Sequence, residues 1–209
     1  MAEIKQGILG GVSGKVGTVV GANWKGKNII RSKPRKSSKK PTVPQLNQRA
    51  KFKLVSNFLQ PINPLLNRYF GSEQGLKTRV NLALSYHLQE AVEKQDGSFI
   101  INPEKVVLSK GVLPLINMEN TAVENSELRL TWNVPEGASL GRATDLLTVV
   151  VYNDQSKLFN IFDKVTTRDS GTFTGQLPLG FQNTSNAIWV FLTNELDTEC
   201  STSMFLGSY

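Results

Sequence analysis

Only a few residues have the types and spacings from which catalysis or metal binding is built. Cys200 and His87 are the single cysteine and single histidine of the 209-residue chain. An intrachain disulfide is therefore excluded, and so is a zinc site assembled from Cys and His. Cys200 follows Asp197-Thr198-Glu199, and neighbouring acids disfavour the thiolate that a nucleophile needs. His87 stands in Leu84-Ser85-Tyr86-His87-Leu88 on a helical pattern, where a structural role is expected. Gly10-Gly11-Val12-Ser13-Gly14-Lys15 suggests a phosphate loop, but its spacing fails. The position that must be glycine is Leu9, and the hydroxyl position after Lys15 is Val16. No carboxylate pair or nucleophile motif stands out. The sequence reads as a non-enzyme without cofactor or metal.

The remaining chemistry is that of cations. Residues 1–53 hold 13 Lys/Arg and one acid, Glu3, a balance of +12, and residues 54–209 hold 11 Lys/Arg and 16 acids, a balance of -5, which sum to +7. The low-complexity stretch Lys33-Pro34-Arg35-Lys36-Ser37-Ser38-Lys39-Lys40-Pro41 has no acid and no large apolar residue, so it cannot drive packing by itself. Lys25, Lys27, Arg31, Lys33, Arg35, Lys36, Lys39, Lys40 and Arg49 are the candidate contacts to an acidic neighbour or to phosphate. Asp145, Asp154, Asp163, Asp169 and Glu195, with Glu136 just before them, offer a receiving face on another copy. Aromatic interleaving is thin, since only Trp24 and Phe52 lie within residues 1–53.

These side chains must be positioned by elements that the pattern makes legible. Gly7 to Ser32 is glycine-rich, with short β-branched pieces at Val16–Val20 and Asn28–Ser32. Lys25-Gly26-Lys27 reads as the turn of a hairpin carrying Trp24 on its first arm. Such a ribbon needs something to lie against. Thr42 is the expected N-cap of a helix with Pro44 and Gln45 in its first turn. That helix buries Leu46, Ala50, Leu54 and Phe58, with Val55 and Leu59 beside them, and ends at Pro61. A second helix runs from Pro64 to Phe70 and a third from Thr78 to Val92.

From Ser98 the texture changes to strands. Ser98–Ile101, Val106–Ser109, Leu113–Met118, Leu128–Trp132 and Leu147–Tyr152 are followed by Leu158–Phe162, Thr172–Gln176, Ala187–Leu192 and Thr202–Leu206. Leu128, Leu130 and Trp132 alternate with Arg129 and Thr131. The expectation is an α+β chain: a Gly-rich β-ribbon and basic arm over 1–41, a helical segment over 42–97, and an antiparallel immunoglobulin-like β-sandwich over 98–209. Trp132 and Trp189 are its expected core, facing each other across the two sheets.

Leu128 to Gly137 resembles strand B and the following turn of fibronectin type III domains, and Ala187–Leu192 resembles their F strand without its usual tyrosine. Gly10–Gly21, Trp24–Lys27, Ile30-Arg31-Ser32, Pro41-Thr42 and Tyr86–Val92 resemble a family of uncharacterised Bacteroidota proteins, a domain of unknown function. Pro41-Thr42, Gln45-Leu46 and Gln48-Arg49-Ala50 with Phe52 are similar to helices of phage virion and tail proteins. That likeness covers about a dozen residues and implies a virion setting.

Glycine-rich gaps between Lys5, Lys15 and Lys25 are unlike the apolar core of an export signal. The longest charge-free stretch, between Asp169 and Glu195, is broken by Pro178 and polar residues, so no membrane span is expected. The expected location is the cytoplasm, or outside the cell as a released or virion-associated protein. The expected function is structural: a homo-oligomer or polymer built through the ribbon and arm. The alternative is sequence-independent nucleic-acid binding by the same cations.

Overall fold

A computed structural model describes residues 2–3, 13–24, 26–35, 39–133, 141–182 and 184–209. The chain divides into two compact units, Met1–Leu46 and Asn47–Tyr209. In the first, strands β1 (Ala2–Glu3), β2 (Gly14–Val16), β3 (Val19–Trp24) and β4 (Lys27–Ser32) form one antiparallel sheet in the order β1-β4-β3-β2. Val16–Val20, expected as one piece, is two strands. Gly17 takes φ +56° and reverses the chain, so Val16 pairs with Val19. The turn expected at 25–27 does not include Lys27, which is already paired with Trp24. Asn23 Oδ1 accepts the Gly26 N–H at 3.0 Å there.

Helix α1 (Val43–Leu59) starts as its cap residues dictate: the Gln45 side chain accepts the Thr42 N–H at 3.1 Å, one half of a capping box. Its apolar stripe is buried over only part of its length. Val55, Phe58 and Leu59 are buried, whereas Leu46 is half exposed and Ala50 is exposed. Only the C-terminal turns of α1 share the core of the larger unit. Helices α2 (Asn63–Tyr69) and α3 (Arg79–Glu90) follow, with Thr78 as the N-cap of α3. Val92 does not extend α3. It opens a hairpin of β5 (Val92–Gln95) and β6 (Ser98–Ile101), turned by Asp96-Gly97, both at positive φ.

The remaining strands are β7 (Asn117–Glu124), β8 (Glu127–Asn133), β9 (Leu146–Asn153), β10 (Leu158–Thr167), β11 (Thr172–Gln176), β12 (Asn186–Thr193) and β13 (Met204–Ser208). They form an antiparallel three-stranded sheet, β11-β8-β7, and an antiparallel four-stranded sheet, β10-β9-β12-β13. Leu128, Leu130 and Trp132 of β8 meet Leu147, Val149 and Val151 of β9 and Ile188, Val190 and Leu192 of β12 in one core. The chain is an α+β fold with a two-sheet sandwich and an N-terminal strand ribbon.

The sandwich has a second buried face. Val150, Tyr152, Ala187, Trp189 and Phe191 point away from β8 and pack with α1, α2 and α3. Trp132 and Trp189 are therefore both buried but in different cores, rather than opposed across the sheets. Two expected strands are absent as drawn. Val106–Ser109 forms no ladder; its backbone is satisfied instead by Val107 N–H donating to His87 Nε2 at 3.3 Å and Leu108 N–H to Ser203 Oγ at 2.8 Å. Leu113 makes a single bridge to Ser201, and the strand expected at Leu113–Met118 begins only at Asn117. Among the described residues no helix is long and apolar enough to cross a membrane.

Candidate assembly surface of the ribbon and arm

Register decides which ribbon side chains share a face. Lys15 lies opposite Val20 and Val20 opposite Arg31, while Ala22 pairs with Ile29 and Trp24 with Lys27. Directly opposed residues of an antiparallel sheet project to the same side. One face thus carries Lys15, Lys27 and Arg31 around Val20, Ala22, Ile29 and the half-exposed Trp24. Lys27 and Arg31 are four residues apart on β4, or about 13 Å. The opposite face carries Val16, Val19, Gly21 and Ile30 with Asn23, Asn28 and Ser32.

Among the described residues the strands of this unit form a single layer, with apolar residues on both of its faces. An isolated sheet layer of this kind is marginal in water without a surface to pack against. Its edges are β1 and β2, of two and three residues, and every residue of β2 is exposed. Edge strands present unpaired N–H and C=O groups that a further strand can use.

Beyond the ribbon, the Lys33 N–H donates to Thr18 O at 2.8 Å, tying the start of the arm to the sheet. Lys33, Arg35, Lys39 and Lys40 are exposed outside any helix or strand. Arg49 is exposed on α1 and belongs to the second unit. Lys25 and Lys36 lie outside the described residues. So the structure brings Lys15, Lys27 and Arg31 onto one face, and Lys15 was not among the expected contacts. The signal that finds it is the pairing of Val16 with Val19, which the Gly17 turn creates.

The expected receiving acids differ from one another. Asp145 is buried, and its Oδ2 accepts from Arg168 Nη2 at 3.0 Å and Nε at 3.2 Å. It is unavailable to a neighbour. Asp154 is neutralised by Lys157 Nζ at 2.6 Å. Asp163, Asp169 and Glu195 are exposed, and Glu136 is outside the described residues. Cys200 is buried, its thiol donates to Tyr69 O at 3.2 Å, and burial pushes its pKa up. A thiol so placed is a packing group.

No curated protein matches the chain significantly. The model of a family of unknown function, DUF6266, matches residues 11–207, and the chain belongs to that family.

Proposed function

We propose that the protein is a non-enzymatic structural subunit that self-assembles through its N-terminal ribbon and basic arm. The observation that carries this reading is the ribbon sheet, which among the described residues is one layer with apolar residues on both faces and two short edge strands. Full burial of an exposed Val contributes about 1.5–3 kcal/mol, so a second copy that covers the exposed Val16 and the half-buried Val19 and Ile30 gains apolar burial. The exposed arm adds electrostatic steering toward acidic surface such as that around Asp163, Asp169 and Glu195.

The strand order of the sandwich supports the fibronectin type III resemblance of Leu128–Gly137, and the Pro41–Phe52 likeness supports a virion or filament setting. A second reading has its own observation. Lys27 lies opposite Trp24, and Lys15 and Arg31 flank Val20 further along the same face, a combination that suits phosphate contact with base stacking. Substituting Ile30→Asp in the full chain separates the two. On the assembly reading it lowers the mass seen by light scattering and leaves any affinity for single-stranded DNA unchanged. An assembly that survives Ile30→Asp contradicts the proposed face.

A further inference from the structure

A cleft of about 620 Å³ opens within the larger unit, where α1 and the β5–β6 hairpin stand over the outer face of the four-stranded sheet. Its volume falls in the range of small-molecule sites, about 300–1,000 Å³. Trp189, Tyr152 and Ala187 of the sheet form the floor. Leu54 and Phe58 of α1 form one wall, and Phe99 and Ile101 of the hairpin form the other. The walls are held in place. Phe58 meets the Tyr152 ring edge-on at 5.0 Å, and Lys51 Nζ of α1 lies 5.0 Å from the centre of the Phe99 ring.

Charge sets the class of ligand. The charged side chains lining the cleft are Asp154 and Lys157, and they neutralise each other at 2.6 Å. Tyr152, its hydroxyl donating to Asp154 Oδ1 at 3.4 Å, is pushed by burial to about 12 and stays uncharged at ordinary pH. Asn57 and Gln95 place neutral amides at the mouth. Lys51 is engaged with the Phe99 ring and does not line the cleft, so an ion entering it would lose hydration and meet, among the described lining residues, only the joined Asp154–Lys157 pair, whereas an apolar body replaces water against aromatic rings. We propose that the cleft between α1, the β5–β6 hairpin and the sheet is a binding site for a small, uncharged, largely apolar molecule.

The test uses the intact protein and two fluorescent probes, uncharged N-phenylnaphthylamine and anionic anilinonaphthalene sulfonate. The uncharged probe should bind with a single-site isotherm and quench tryptophan emission through Trp189, and the anionic probe should bind about ten-fold more weakly or worse. Gln95→Trp, at an exposed position on the mouth, and Ala187→Phe, on the floor, should each weaken the uncharged probe about ten-fold or more. If Ala187→Phe lowers the melting temperature, Gln95→Trp decides alone. Absence of saturable binding, equal affinity for both probes, or binding untouched by Gln95→Trp overturns the proposal.

Discussion

His87 is 1 % exposed, and its two ring nitrogens are both committed. Nε2 accepts the Val107 N–H at 3.3 Å, so Nδ1 carries the proton and donates to Ala83 O at 2.7 Å. Burial lowers its pKa below the ordinary 6.5. The folded state therefore resists protonation that the unfolded state accepts. This contribution to stability is complete above pH 6.5 and is lost as pH falls from 6.5 toward the lower folded value, by at most about 1.4 kcal/mol per pH unit. Denaturant melts of wild type and His87→Gln should show a shallower acid slope for the variant below pH 6.5; parallel slopes would contradict the buried neutral ring. Asp145 makes a second residue-scale prediction. It is buried against Arg168, which also donates to Pro114 O at 2.6 Å. Arg168→Met removes the charge partner of that carboxylate and leaves it, among the described residues, only the Arg142 N–H at 3.1 Å, which should cost about 3–5 kcal/mol, read as a fall in the urea midpoint.

At the scale of elements, the two tryptophans report on two cores. Trp132→Ala and Trp189→Ala should each cost about 3–5 kcal/mol, and because they share no core their effects should add. A double variant much less destabilised than the sum would mean that the cores communicate. The alternation of Leu128, Leu130 and Trp132 was legible because β8 is buried on one face only. β9 and β12 are buried on both faces, which turns Val149-Val150-Val151 and Ile188–Leu192 into continuous apolar runs. That uniformity signals the helical layer, and a reading for alternation misses it. Asp96-Gly97 is a strong hairpin signal, yet the helical pattern of Val80, Leu84 and Leu88 carries the eye through Val92. Val106–Ser109 could not have been distinguished from a strand by composition, since its partners are side chains of His87 and Ser203, distant in sequence.

At the scale of the whole molecule, the cations of the ribbon and arm are visible in the sequence, but their common face is not. It depends on a register set by Gly17 and by the pairing of Trp24 with Lys27. The receiving acids were legible as charges only; burial removed Asp145 from that set. Changing Lys33, Lys39 and Lys40 together to Glu should weaken assembly, and raised salt should do the same. If the arm instead serves nucleic acid through about six to ten phosphates, log affinity should fall against log salt with a slope of roughly -5 to -9, and the triple reversal should abolish binding without changing the mass. The most direct measurement is the solution mass of the intact wild-type chain by light scattering across a concentration series, freed of nucleic acid. The self-assembly reading predicts species heavier than the 23.1 kDa monomer that grow with concentration. A constant 23.1 kDa at every concentration would contradict self-assembly.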